Sequence, residues 1–163
     1  MTHKKINQQI LARLERLEKA IFDSGDRSMN INKNKFESGI KKLINKTKIS
    51  EGKIKEIFDF EGDVLTVVQI MGSNPKEKIQ NVSLLSLLGY KYFFNSDAVS
   101  AQEIRRNVGE NGIPLENFAT YLNELVPSSI RRKGKLKSPK TTYRLTVFGE
   151  AKTKELIKRL AKT

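Results

Sequence analysis

The sequence predicts a mainly α fold with small β-hairpins, an α+β class, on three observations. Apolar residues recur at spacings of three and four through most of the chain. Two β-prone runs, within residues 58–68 and 130–146, are each interrupted by a glycine-containing turn. Helix-start residues stand at regular places between them: Ser50, Pro75, Ser100 and Pro114.

Taking the elements in order, Ile10, Leu14, Leu17 and Ile21 are spaced four, three and four, which makes residues 5–22 an amphipathic helix that ends at Asp23-Ser24-Gly25-Asp26. It reads either as a short dimerising coiled coil, giving a homodimer through the N-terminal helix, or as a helix that packs on its own domain. A polar linker, Gly25 to Lys33, precedes a helix over about 34–46 marked by Phe36, Ile40, Leu43 and Ile44. Ser50 caps a short helix with Ile54, Ile57 and Phe58 on its apolar face. Glu61-Gly62-Asp63 then turns a hairpin, which completes a small helix-turn-helix-like unit at 31–72. The acidic turn lacks the closing glutamate of a Ca²⁺ loop, because Ile70 stands there.

Gly72-Ser73-Asn74-Pro75 breaks the chain, and a third segment, 75–163, begins. Ile79, Val82, Leu85, Leu88 and Tyr92 form one stripe of its first helix, with Leu84, Leu87 and Phe94 beside it; Ser83, Ser86, Tyr90 and Lys91 form the narrower open side. Ser100 and Glu103 make a capping box for a helix over about 101–108. After the turn Gly109 to Gly112, a helix from Pro114 to Leu125 directs Leu115, Phe118, Leu122 and Leu125 inward. Ile130 to Lys133 and Thr141 to Thr146 flank a basic, flexible loop, and Phe148-Gly149-Glu150 opens a last helix to about Lys162.

Composition narrows the chemistry. The 163 residues include no Cys, no Trp and one His. Disulfide scaffolds, cysteine-rich zinc modules and His-based nucleophile pairs are therefore excluded, and no metal or other cofactor is expected. No phosphate-binding Gly-rich loop is present, and Asp97, Glu103 and Glu110 are scattered over caps and a turn, so the chain does not read as an enzyme. The first ten residues hold no apolar run of signal length and no stretch approaches 18 apolar residues, which gives the expectation of a cytoplasmic, nucleoid-associated protein with no membrane partner.

The net charge of +13 is uneven. Residues 127–163 hold twelve basic and two acidic side chains, a share of +10. A surface so biased faces a polyanion, and nucleic acid is the leading class.

Ser100 to Leu125, the hairpin Ile130 to Thr146, and Tyr143-Arg144-Leu145-Thr146-x-x-Gly149 running into a last helix together resemble the winged helix-turn-helix DNA-binding domain. The likeness is to archaeal and bacterial transcription regulators of the MarR-like and PadR-like kinds and covers about residues 76–162. It implies a transcription regulator or chromatin-associated factor that binds duplex DNA. Its recognition helix, 114–125, would offer Asn117, Thr120, Tyr121 and Asn123 to bases, and asparagine can pair bidentately with adenine. Arg131, Arg132, Lys133, Lys135, Lys137 and Lys140 of the wing, with Arg105 and Arg106 of the preceding helix, would contact phosphates. That helix carries Glu116 and Glu124 and no Arg or Lys, so the expected sequence preference is modest. The alternatives are a winged-helix protein-interaction module or an RNA-binding one.

Overall fold

A computed structural model describes residues 3–163 as a mixed α+β fold with two small antiparallel sheets. In chain order the elements are α1 (His3–Thr47), α2 (Glu51–Ile57), β1 (Phe58–Glu61), β2 (Val64–Val67), α3 (Pro75–Phe94), β3 (Val99–Ser100), α4 (Ala101–Glu110), α5 (Phe118–Asn123), β4 (Ile130–Lys133), β5 (Thr142–Leu145) and α6 (Val147–Leu160). The chain divides into two compact units, residues 1–34 and 35–163. No helix among the described residues is long and apolar enough to cross a membrane.

The expected break between two N-terminal helices is corrected: α1 runs without interruption through the polar stretch Gly25 to Lys33. That stretch contains no proline, so no amide donor is missing from the helix. Its one glycine costs a helix only about 1 kcal/mol.

In the unit 35–163, Phe36, Ile40 and Leu43 of α1 are buried in the same core as Ile54, Ile57, Phe58, Leu65 and Val67. Phe36 stacks on Phe60 at 3.9 Å between ring centroids and meets Phe93 at 4.8 Å. Gly39 lets α1 approach α3 closely, because a Cβ there would strike the Phe93 ring and the Tyr92 carbonyl. β2 is held to α4 by two asparagines: Asn107 Oδ1 accepts from the Val67 amide at 3.0 Å, and Asn111 donates to the Val67 carbonyl at 2.8 Å.

α3 is the central helix. Asn74 caps it, accepting from the Glu77 amide, and Pro75 occupies its first turn. Of the expected open side only Lys91 reaches solvent: Ser83, Ser86 and Tyr90 are buried with the apolar set. The serines are tolerated there because each hydroxyl donates back to its own helix, Ser83 to Ile79 and Ser86 to Val82, so no polar group is left unpaired.

The second sheet has the order β3-β5-β4. Val99 pairs with Tyr143 and Ile130 with Leu145, and all but the half-buried Leu145 are buried. The two-residue β3 has no sequence signal of its own, being the first half of the α4 cap. Ser100 still accepts from the Glu103 amide as expected.

α5 is shorter than the predicted 114–125. Asn117 sits at φ −104°, ψ 13°, off helical values, and the Phe118 amide closes a turn on the Leu115 carbonyl. This break admits both Ile113 and Phe118 to the core, positions that a continuous helix would set about 140° apart.

Thr146 explains the Thr-x-x-Gly pattern that enters α6. Its hydroxyl accepts from the Gly149 amide at 2.9 Å and donates to the Ser128 carbonyl at 2.6 Å, while its amide bonds Ser129. Gly149 lies so close to the Ser129 carbonyl that any Cβ would overlap it.

Candidate nucleic-acid interface

Residues 130–146 contain seven cations and no acid. The β4–β5 pairing divides them by face. Register partners share a side of a sheet, and side chains alternate along each strand. Ile130, Leu145, Arg132 and Tyr143 therefore lie on one face and Arg131, Arg144 and Lys133 on the other. Arg131 stands directly opposite Arg144, a like-charge pair of a kind that destabilises a hairpin.

On the first face the Arg132 guanidinium donates to Asn123 Oδ1 at 2.5 Å and ties β4 to the last residue of α5. A cleft of about 430 Å³ opens between the start of α4, the start of α5 and the loop. Gln102, Arg105, Glu116, Lys137 and Pro139 line it, with Tyr143. Arg105 lies over the Phe118 ring, 5.6 Å from its centroid, so an aromatic face fixes an exposed cation at the mouth of the cleft. Burial raises the Tyr143 phenol above its ordinary pKa, so Tyr143 is a neutral wall of the cleft.

The loop carries Lys135, Lys137 and Lys140, all exposed. Expected to be flexible, it is tied by its own hydrogen bonds: Thr141 donates its hydroxyl to the Lys135 carbonyl at 2.5 Å, and the Ser138 amide bonds the same carbonyl. Lys137 at its tip has φ +66°, a left-handed conformation in which glycine is cheaper.

The proposed base-contacting residues are placed differently from one another. Asn117 and Thr120 are exposed, and Asn117 makes no side-chain capping bond to α5. Tyr121 is half-buried, with Lys76 6.0 Å from its ring centroid. Asn123 is occupied by Arg132. Glu124, an acid of the predicted recognition helix, forms an ion pair with Lys76 at 2.5 Å. Glu116 is exposed on the cleft rim.

Arg106 is not grouped with the other cations. It pairs with Glu110 at 2.8 Å, with Glu103 at 3.3 Å, and donates to the Leu65 carbonyl at 2.8 Å, so it links α4 to β2. Its spacing to Glu103 and Glu110, three and four residues along one helix, is the sequence signal of that role.

Sequence reasoning passed over Arg144, Lys76 and Gln102. Alternation along β5 separates Arg144 from Tyr143 by face, but only the strand register sets it opposite Arg131. Lys76 and Gln102 are brought in only by tertiary packing.

A second cleft, of about 420 Å³, adjoins the other face of the hairpin and is lined by Lys91, Asp97, Arg131, Arg144 and Val147. Lys91 is neutralised there by Glu150 at 2.7 Å. Burial raises the pKa of Glu150, but hydrogen bonds from Lys154, Lys91 and Tyr92 outweigh it and hold the carboxyl at about 2.

Comparison with protein families, with characterised proteins and with solved structures finds no match for this chain.

Proposed function

We propose that residues 75–163 are a winged helix-turn-helix that binds duplex DNA and serves as a transcription regulator or chromatin-associated factor. The observation that carries this reading is a coincidence of topology and charge. A helix, a short strand, two helices and a hairpin follow one another, the strand order is β3-β5-β4, and Lys137 of the hairpin loop shares a cleft with Arg105 of α4 and with Phe118 and Ala119 at the start of α5. In this reading α5 is the recognition helix and residues 130–146 the wing.

Lys135, Lys137, Lys140 and Arg105 neutralise phosphates on either side of the groove that α5 enters. Asn117 and Thr120 are the residues free to meet base edges. Arg132 positions the end of α5 through Asn123 and is a weaker phosphate ligand than the loop lysines. With two neutral side chains reading bases, affinity exceeds sequence preference.

Selection of bound fragments from a random duplex pool tests the reading, alongside competition by duplex RNA and single strands. The expected result is retention of duplex DNA with a shallow preference that changes in Asn117→Ala. The triple variant Lys135→Ala, Lys137→Ala, Lys140→Ala should lose affinity equally for all sequences. Preferential retention of RNA, or of no nucleic acid, would overturn it.

A further inference from the structure

We infer that residues 10–19 of α1 form one strand of a parallel, in-register two-stranded coiled coil whose other strand is a second copy of this chain. Ile10, Leu11, Leu14 and Leu17 are 51%, 58%, 50% and 58% exposed, a concentration of large apolar side chains with Ala12, Arg13, Glu15 and Arg16 between them. The steps 10 to 14 to 17 are a heptad seam, with Leu14 at position a and Ile10 and Leu17 at d. The side chain of Ile21, the next residue in this pattern, lies outside the described ones.

The charges beside the seam identify the occupant. This phase puts Arg13 at g and Glu18 at the following e. In a parallel in-register pair, g of one strand faces the next e of the other, so each Arg13 meets the second copy's Glu18, twice by symmetry. An antiparallel pair would instead set g against g and e against e, arginine on arginine and glutamate on glutamate. Glu15, Arg16 and Lys19 fall at b, c and f and stay in water on either arrangement. The surface is thus complementary to itself in one orientation. A seam this short is marginal for an isolated peptide, but α1 continues to Thr47 and Phe36, Ile40 and Leu43 of the same helix are buried in the core, so the helix need not nucleate alone. The inference is independent of the nucleic-acid reading.

Sedimentation of the full chain, with variants, tests it. The chain has no cysteine, so a single introduced one reports on its own position. A dimer is expected at micromolar concentrations, with Leu17→Cys cross-linking to itself under mild oxidation and Lys19→Cys not doing so. Arg13→Glu should weaken the dimer about fivefold or more, and Arg13→Glu combined with Glu18→Arg should restore it. All these positions are exposed, so circular dichroism should stay unchanged. A monomer at every concentration, equal cross-linking at 17 and 19, or a double variant as weak as the single one would overturn the proposal.

Discussion

Arg132 on β4 and Asn123 at the end of α5 share a hydrogen bond, Nη1 donating to Oδ1 at 2.5 Å. Helix and hairpin are therefore coupled by two residues that, read singly in the sequence, both look like independent ligands for nucleic acid. Arg132→Ala and Asn123→Ala should each lower stability by about 1 kcal/mol, and the double variant should cost little more than either. Denaturant unfolding of the four proteins in this cycle measures the coupling. Additive losses would mean that the bond contributes nothing to folding.

Lys137 holds a left-handed backbone at the tip of the loop. On the proposed reading, the strain is the cost of presenting an ammonium group to phosphate at this position. Lys137→Gly should stabilise the protein by about 1 kcal/mol and yet weaken duplex binding severalfold at low salt. Thermal unfolding and a binding titration on the same sample check the two opposite signs.

Glu150 gathers Lys91 and Tyr92 of α3 and Lys154 of its own helix, and its carboxyl titrates at about 2 in the folded protein. Because the folded value lies below the ordinary 4.5, its contribution is complete at pH values above that figure and is lost as the pH falls from about 4.5 towards 2. Allowing for screening at a side chain 19% exposed, the loss is about 2 kcal/mol. Unfolding free energy measured from pH 6 to pH 2 should show this decline in the wild type and a flatter one in Glu150→Gln.

Gly149→Ala places a methyl group on the Ser129 carbonyl. The first turn of α6 and the turn after α5 must then separate, at a cost of about 3 kcal/mol. Thr146→Ala should cost about 1 kcal/mol, since it removes the cap from the same turn. Chemical denaturation distinguishes the two, and equal effects would contradict the close-approach account.

Much of the fold is legible in the sequence because local signals and burial agree. Pro75, Ser100 and the β-prone runs fall where their elements begin, and Phe118, Leu122 and Leu125 are core residues as their spacing predicts. The misreadings occur where local signals compete with something non-local. Gly25 looked like a stop but is absorbed by a long helix, and Asn117 breaks a helix that Pro114 looked ready to start. The candidate site was legible as a list of cations, but the list did not sort itself. Arg106 belongs to a structural ion-pair network, Arg132 to Asn123, and Arg131 to the opposite face of the hairpin from Arg132.

The central claim is that the exposed cations of the loop and α4 bind the phosphates of duplex DNA, and the salt dependence of affinity tests it most directly. With four phosphates neutralised per protomer by Arg105, Lys135, Lys137 and Lys140, log K should fall against log salt with a slope of about −3.6. Removing one of these four should reduce that slope by about 0.9, whereas Arg106→Gln should leave it unchanged. A slope near zero, or one that does not respond to the loop lysines, would contradict the account.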